Sequence, residues 1–355
     1  MQKPQARIKD VARVAGVSTA TVSRALTHPD RLSEGTRRKV FAAIKSTGYR
    51  VNQAARNLRT RRARAVLVLV PNLGNPFFSM ILSSITDVLS AKGYSVLVLD
   101  SQQLGASQTA VSDCFLNGSV EGMIALDGHM SDATGQALQS ANMMRNVVFC
   151  CEWSDQWPLP SIRSNNGLGA TMAMDHLVAL GHRRIAHVTG PEGNVLADAR
   201  KATYLERCAA HGLDLRPEWI VQGDFSLGAG ALAADRILAL DTRPTAVFCA
   251  SDAMALSFIA RIKQHGLRVP EDLSVVGFDD IEMAAFADPS LTTIRQDRTR
   301  IGRLAAEELL ARLNNEQTEE GAPVIYSPVA LIERNTTAAP QQHTQSRPLR
   351  KAVND

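Results

Sequence analysis

Apolar residues near the start of the chain recur at intervals of three and four, the spacing that places side chains on one face of a helix. Two such sets follow one another, and their members are Ile8, Val11, Ala12, Ala15, Val22, Ala25 and Leu26. Gly16 lies between the sets and can adopt the left-handed conformation that ends a helix, while Ser18 is a typical N-cap for the second helix. The pattern predicts two short helices joined by a tight turn, which is the arrangement of a DNA-binding helix-turn-helix.

A third helix is predicted to begin after Ser33 and to end at Gly48. Together the three helices can form the core of a small all-α head, which we assign to residues 1–50. Residues 51–64 are too few to form a stable helix alone, so we expect a linker that becomes ordered only against a partner.

After residue 64 the pattern changes to short, continuous apolar runs that alternate with stretches of helical periodicity. Such runs are typical of buried parallel strands joined by helices. The alternation restarts after about residue 160, which predicts a body of two α/β lobes, residues 65–338, with doubly wound parallel sheets and late crossovers near Leu291 and Val324. Lobe 1 is predicted to comprise residues 65–161 and 292–322. Lobe 2 is predicted to comprise residues 162–291 and 323–338.

Charge is distributed unevenly between these two parts. Residues 1–64 contain 16 Lys or Arg and 3 Asp or Glu, a net charge of +13, whereas the rest of the chain contains 23 basic and 32 acidic residues. A basic head on an acidic body predicts that the head binds a polyanion such as DNA. The alternative is a solvated, disordered tag, which the regular apolar spacing of the head argues against.

Cysteine usage and hydropathy predict a cytoplasmic protein. The five cysteines are Cys114, Cys150, Cys151, Cys208 and Cys249. The absence of a C-x-x-C pair among them is typical of reduced thiols. No apolar run follows the N-terminus, so no signal peptide is expected. No stretch of 18 apolar residues occurs, so no contact with a membrane is expected either.

Several motifs of the chain together resemble the lactose-repressor family of bacterial transcription regulators. In the head they are Lys9-Asp10-Val11-Ala12, Ala15-Gly16-Val17-Ser18, Thr21-Val22-Ser23-Arg24, Gly48-Tyr49 and Ala55-Arg56-x-Leu58. In the body they include Pro71-Asn72-x-x-Asn75-Pro76-Phe77-Phe78, Val275-Val276-Gly277-Phe278-Asp279-Asp280 and Pro289-Ser290-Leu291-Thr292-Thr293-Ile294. The resemblance covers about residues 7–337 and implies a body built like the periplasmic sugar-binding proteins.

The resemblance also implies how the head binds DNA. The second helix would enter the major groove, where Arg24 can bond two acceptors of guanine; the alternative for Arg24 is an exposed, solvated side chain. The linker would become a hinge helix in the minor groove, with Leu58 as a wedge between base pairs. Val51 stands where the family usually has Pro, so the start of this hinge is less rigid. The residues assigned to DNA binding are Ser18, Thr19, Ala20, Thr21, Ser23, Arg24, Asn52, Ala55, Arg56 and Leu58.

A small polyol is held in a protein by a carboxylate, an arginine, an amide and an aromatic wall. The sequence offers all four near the carboxyl ends of predicted strands, where ligands bind in open α/β sheets. The resemblance places Arg200 at the ligand-binding arginine of the family and Phe225 at its stacking aromatic. The candidate effector contacts are Phe77, Phe78, Glu152, Trp153, Asn194, Arg200, Phe225, Ser251 and Asp279.

Several candidates have a structural alternative. Phe78 and Trp153 could be core residues, and Glu152 could be a charge at the rim of the cleft. Arg200 and Asp279 could pair with each other as a structural bridge across it.

An enzyme is the main alternative class of protein, but the sequence contains no G-x-x-x-x-G-K-[ST] loop, G-x-S-x-G elbow or H-E-x-x-H pair. The eight histidines are scattered without metal-ligand spacing, so we expect no catalytic residue, no metal and no cofactor. A free-standing periplasmic binding protein would lack the basic head. A constitutive architectural DNA-binding protein would not need the two-lobed body.

The sequence therefore predicts a sequence-specific transcription regulator, expected to be a repressor, that binds double-stranded operator DNA and a small sugar- or nucleoside-like effector. Residues 339–355 are polar and Gln-rich, and we expect them to be disordered. They lack the leucine heptads that make the lactose repressor a tetramer, so a homodimer is expected. Whether the effector induces or acts as a corepressor stays open, as does a small-molecule-binding protein that does not regulate DNA binding.

Overall fold

A computed structural model describes residues 6–49, 63–104, 109–315 and 322–341. It separates into two compact units, Met1–Ala63 and Arg64–Asp355, which we call the head and the body. The division falls within the predicted linker, of which residues 51–62 lie outside the described ranges. The predicted tail also lies outside them from residue 342 onward.

The described residues of the head, 6–49, form three α-helices with a small apolar core. The helices are α1 (Ile8–Ala15), α2 (Thr19–Thr27) and α3 (Glu34–Thr47), and a short 3₁₀ turn, Pro29–Arg31, precedes α3. The buried core residues are Val11, Ala12, Ala15, Val22, Ala25, Val40 and Ala43. These positions follow the helical spacing read in the sequence, because each helix can bury only the stripe that faces its neighbours.

Local capping determines where the head helices begin and end. Gly16 and Gly48 follow α1 and α3 with φ of 64°, a left-handed conformation that costs glycine little. The Ser18 hydroxyl accepts the backbone N–H of Thr21 at 3.1 Å, and the Ser33 hydroxyl caps α3 in the same way.

Lobe 1 of the body is a six-stranded parallel sheet in the order β11-β5-β4-β3-β1-β2. Its strands are β1 (Ala65–Val70), β2 (Ser95–Asp100), β3 (Gly122–Ala125), β4 (Val147–Cys150), β5 (Ser161–Ser164) and β11 (Val324–Ser327). Its helices are α4 (Phe77–Ala91), α5 (Ser101–Leu104), α6 (Thr109–Leu116), α7 (Asp132–Ser140) and α13 (Arg298–Leu313).

Lobe 2 is a second six-stranded sheet, in the order β12-β10-β9-β8-β6-β7, in which only the β10–β12 pair is antiparallel among the described strands. Its strands are β6 (Ile185–Val188), β7 (Ile220–Val221), β8 (Ala246–Cys249), β9 (Ser274–Asp279), β10 (Thr292–Gln296) and β12 (Val329–Ile332). Its helices are α8 (Asn166–Ala179), α9 (Val195–Ala210), α10 (Leu227–Leu238), α11 (Asp252–Gln264) and α12 (Glu282–Phe286).

The chain crosses between the lobes three times, after β5, β10 and β11, and each crossing comes a few residues later than the predicted boundary. β5 pairs with β4 and β11 in lobe 1, and β10 pairs with β9 in lobe 2. The predicted boundaries therefore need correction: residues 162–164 and 324–327 belong to lobe 1, and residues 292–296 belong to lobe 2. An apolar run indicates a strand, but its neighbours in the sheet are set by hydrogen bonds to residues that are distant in sequence.

A buried histidine lies at the centre of the lobe 2 core. The imidazole of His187 in β6 stacks between the rings of Tyr204 and Phe248, with centroid distances of 5.0 and 4.7 Å. Its Nδ1–H donates to the Phe248 carbonyl at 2.8 Å. Burial lowers the pKa of His187 to about 4. The ring is therefore neutral in the folded protein at neutral pH.

This burial makes the stability of the body depend on pH. Because unfolding returns His187 to its ordinary pKa of 6.5, its contribution is complete above pH 6.5 and is lost as the pH falls toward 4. We expect the free energy of unfolding to lose about 2 kcal/mol between pH 6.5 and pH 4.5 from this group. His176, His182 and Asp279 also have shifted pKa values, so urea unfolding reports the sum of several groups. The loss between the two pH values should be smaller by about 2 kcal/mol in His187→Phe than in the wild type. His129→Gln, which removes an imidazole with a 71% exposed side chain, should show the wild-type loss; an equal loss in His187→Phe and the wild type would contradict the assignment.

Candidate DNA-binding surface and ligand cavity

Helix α2 carries five of the ten residues predicted to contact DNA. Thr19, Ala20 and Arg24 are exposed, while Thr21 and Ser23 are half-buried. Ser18 is placed as the N-cap of this helix, and its hydroxyl also lies 2.9 Å from that of Thr21. The other four predicted contacts lie outside the described residues, and they are Asn52, Ala55, Arg56 and Leu58.

A cavity of about 30 Å³ lies between the lobes of the body at the carboxyl ends of their strands. The lining residues from lobe 1 are Asn75, Phe77, Phe78, Cys151 and Glu152. Those from lobe 2 are Leu196, Arg200, Phe225, Ser251 and Asp279. The structure thus brings together seven of the nine predicted effector contacts. Parallel strands bring their carboxyl ends to one edge of a sheet, so the side chains that follow them converge.

The guanidinium of Arg200 is held by the protein on several sides. Its Nε and Nη2 donate to Oδ1 of Asn166 at 2.9 and 2.8 Å, and its Nη1 donates to the carbonyl of Ala250 at 2.5 Å. The ring of Phe278 lies beneath it, with its centroid 3.7 Å from the guanidinium carbon. Burial lowers the pKa of Arg200 to about 10, so the group stays charged at neutral pH.

Asp279 faces the same cavity from the end of β9. Its Oδ1 accepts from Nε2 of Gln296 at 2.7 Å, and no hydrogen bond or ion pair joins it to Arg200, although both residues are described. The alternative of a direct Arg200–Asp279 bridge therefore does not describe this geometry. Burial raises the pKa of Asp279, and the nearby charge of Arg200 opposes that shift.

Comparison with known proteins identifies the family. A model described as bacterial regulatory proteins, lacI family, matches residues 7–52, and one for the periplasmic binding protein-like domain matches residues 174–337. The HTH-type transcriptional repressor CytR of Escherichia coli (strain K12) is 37% identical over 339 residues, which are 95% of this chain and 98% of that protein. The chain belongs to the LacI family of bacterial regulatory proteins. This confirms the prediction of a DNA-binding transcription regulator and of a protein that is not an enzyme.

Other similar proteins support the same assignment. The HTH-type transcriptional repressor PurR of Aliivibrio fischeri (strain MJ11) is 33% identical over 317 residues, covering 88% of this chain and 94% of that protein. The structure of the lac repressor dimer bound to operator and the anti-inducer ONPF matches with a TM-score of 0.81 and 33% identity, over 94% of this chain and all of that one. A complex of the regulator CelR with cellobiose matches with a TM-score of 0.71 and 29% identity, at the same coverage. Among the helices described here, none is long and apolar enough to cross a membrane.

Asn194 is placed beside the cavity of this LacI-family protein and not in its lining. Its Oδ1 accepts the backbone N–H groups of Leu196 and Ala197 and so caps α9, the helix that carries Arg200. Its Nδ2 donates to Oε1 of Glu152 at 2.8 Å, which is a hydrogen bond between the two lobes. The sequence analysis treated Asn194 only as an amide that contacts the ligand. It therefore missed both the capping of α9 and the hydrogen bond to Glu152.

Glu152 and Trp153 are neighbours in sequence with different surroundings. Glu152 is buried at the cavity wall, which argues against a rim charge, and burial raises its pKa. The structure does not bring Trp153 to the cavity: the Arg163 guanidinium lies 3.9 Å from its ring, and its Nε1 donates to Asp155 at 3.2 Å. Phe78 is both buried and part of the lining, so its two interpretations are compatible.

One group of carboxylates and imidazole in the described residues has the composition of a metal site. Asp127, His129 and Glu152 place potential ligand atoms within 4.8 Å of one another. Protein hydrogen bonds account for this grouping, because Gly128 N–H donates to Glu152 and both the Ser101 hydroxyl and the His129 backbone N–H donate to Asp127. The sequence analysis did not find this cluster, since its members come from the ends of two different strands.

Some residues at the cavity were missed by the sequence analysis. Cys151 lies between the end of β4 and Glu152, and Asn75 lies two residues before Phe77, so the same reasoning could have included them. Asn166 carries no such indication. Its importance comes from the contact with Arg200, a residue 34 positions away.

The Asn166–Arg200 contact should contribute to the stability of the body. Asn166→Ala leaves a buried guanidinium without its acceptor, and we expect the free energy of unfolding to fall by about 2–3 kcal/mol. Arg200→Met removes the charge, so adding Asn166→Ala to it should cost clearly less than in the wild type. Urea unfolding of the single and double variants measures this coupling. Strictly additive losses would show that Asn166 does not stabilise Arg200.

Proposed function

We propose that this LacI-family protein is a cytoplasmic repressor whose affinity for operator DNA is set by a small sugar- or nucleoside-like effector bound between the lobes of the body. The cavity chemistry carries the proposal. A charged arginine, two carboxylates and three phenylalanines converge there from both lobes, which suits a ligand with several hydroxyls and a flat or apolar face.

The size of the cavity gives a mechanism for control. A free volume of about 30 Å³ is far below the roughly 300–1,000 Å³ of sites for drug-sized ligands. Binding therefore requires that the lobes separate or that lining side chains move. A ligand that contacts both lobes has different contacts in the two arrangements, and only such differential contacts can shift a conformational equilibrium.

Exposed apolar side chains support assembly into a homodimer. Leu97 and Val98 lie on β2, the edge strand of lobe 1, and are 43% and 39% exposed. Phe286 of α12 is 82% exposed. Apolar surfaces of this kind mark interfaces in soluble proteins, and the lac repressor is a dimer on its operator. A two-fold symmetric protein requires a pseudo-palindromic operator.

The exposed face of α2 supports contact with base edges in the major groove. The linker contacts through Asn52, Ala55, Arg56 and Leu58 stay predictions.

Arg24 is expected to read sequence. Arg24→Ala should weaken binding to the operator by about 1–3 kcal/mol and should change binding to random DNA little, because bidentate bonding to guanine is specific to the base. Fluorescence anisotropy with both DNAs measures the two affinities. Arg13→Ala removes an exposed charge from α1 and serves as the matched control. Equal losses on both DNAs for Arg24→Ala would make it a phosphate contact instead.

The effector contacts are expected to control the response and not operator binding itself. Arg200→Ala and Asp279→Asn should still bind operator. An effector is expected to shift the operator affinity of the wild type by about 5- to 150-fold, but it should leave the operator affinity of these variants unchanged. A thermal-shift screen with cytidine, uridine, adenosine, ribose and cellobiose identifies the effector, because a ligand stabilises the state that binds it. Anisotropy with operator then measures the response.

The direction of that response distinguishes the two modes of control. By linkage, operator must weaken the binding of an inducer by the same factor by which the inducer weakens operator binding. Calorimetry of the effector with and without operator measures this. A tighter affinity in the presence of operator would identify a corepressor, and equal affinities would show that the cavity does not control the head.

A further inference from the structure

The turn that presents Asp279 to the cavity has a strained backbone. φ is 128° at Asp279 and 52° at Asp280, and both values lie in the region that L side chains rarely adopt. Such conformations persist only where the surrounding structure enforces them. Whatever holds this turn therefore sets the position of the Asp279 carboxylate.

Asp252, the first residue of α11, holds the turn through two hydrogen bonds. Its Oδ2 accepts the backbone N–H of Ile281 at 2.9 Å, and its Oδ1 accepts the hydroxyl of Thr293 at 2.5 Å. The Thr293 oxygen in turn accepts the N–H of Asp280 at 3.4 Å. The two amides that follow Asp279 are thus bound by Asp252, one directly and one through Thr293.

The surroundings of Asp252 are shaped to let its carboxylate reach the turn. Asp252 is fully buried, and a Cβ at Gly277 in β9 would lie 2.2 Å from its Oδ1. Any residue other than glycine at that position would displace the carboxylate. Asp252 does not line the cavity, although Ser251 before it does.

The contact uses both oxygens of Asp252, which bind different partners. Burial and then the neighbouring Asp279 raise the pKa of this acid to about 8. An asparagine, with one acceptor and one donor group, resembles the protonated acid and can keep both contacts. Alanine has neither group, so it loses both contacts.

A second group of contacts holds the next residue of the turn. The Asp280 carboxylate pairs with Arg295 at 2.7 Å and with Arg334 at 2.6 Å, and its carbonyl accepts from Arg298 at 2.8 Å. Three arginines therefore hold Asp280 in addition to its hydrogen bond to Thr293. Asp279 directly precedes this fixed residue, and its side chain accepts a hydrogen bond from Gln296.

We propose that Asp252 is a positioning residue of the effector site: through Ile281 and Thr293 it fixes the strained turn that orients Asp279 toward the cavity. The inference rests on the proposed function, in which Asp279 contacts the effector. Asp252 itself does not touch the ligand. It sets the affinity of the site from the layer behind it.

Calorimetry with the compounds of the nucleoside and sugar panel that bind the wild type tests the proposal on the full-length protein. Asp252→Ala is expected to weaken their binding by about tenfold or more, since both hydrogen bonds that hold the turn are lost. Thr293→Val should have a similar effect, and Thr293→Ser, which restores the hydroxyl, should bind as the wild type does. Asp175→Asn, a surface change in lobe 2, is the control and should also match the wild type. Circular dichroism and operator binding report that each variant is folded.

Asp279→Asn separates the two levels of the argument. If it binds the compounds as tightly as the wild type, the assignment of Asp279 to the site is wrong and the proposed function fails there. If Asp279→Asn loses binding while Asp252→Ala or Thr293→Val retains it, the effector site stands and the positioning role of Asp252 is wrong.

Amide hydrogen exchange tests the same contact without any ligand. In Asp252→Ala, the segment from Phe278 to Ile281 should exchange about tenfold faster or more, with the other strands of lobe 2 unchanged. Unchanged exchange in this segment would overturn the proposal. Should no compound of the panel bind the wild type, the proposed effector class is wrong, and this exchange measurement decides whether Asp252 holds the turn.

Discussion

The guanidinium of Arg200 is only 2% exposed, so protein groups must replace the water that would otherwise solvate its charge. The structure does this with the Asn166 side chain, the Ala250 carbonyl and the face of Phe278, and it places the charge of Asp279 nearby. These groups come from the start of α8, the end of β8 and the end of β9. The need to satisfy one buried charge therefore aligns three separate elements of lobe 2 at the edge of the cavity.

The same constraint links binding to motion. Lobe 1 closes over Arg200 and leaves little free volume, and the hydrogen bond between Glu152 and Asn194 joins the lobes beside it. Three chain crossings connect the lobes, which permits a hinge motion while each sheet remains intact. An effector that enters must replace contacts made in the closed arrangement. Its binding energy can therefore be converted into a change in the angle between the lobes.

Local interactions account for what could be predicted from the sequence. Helix spacing, the capping by Ser18 and the left-handed Gly16 depend only on residues within a few positions, so the head helices follow from the chain directly. The continuous apolar run of β1 is likewise fully buried. Because parallel strands end at one edge of a sheet, polar residues after strands, such as Asp279, could be expected at the cavity without knowledge of the packing.

Tertiary structure alone decided which groups meet. The sheet neighbours of β5, β10 and β11 depend on hydrogen bonds between distant segments, and the apolar pattern holds no information on them. The acceptor role of Asn166 and the hold of Asp252 on a turn 29 residues away depend likewise on packing. The sequence by itself determined the head helices, the alternation of strands and helices in the body, the family and most of the cavity lining. A side chain's partners become definite only when folding removes it from water, because burial then requires each polar group to find a protein partner.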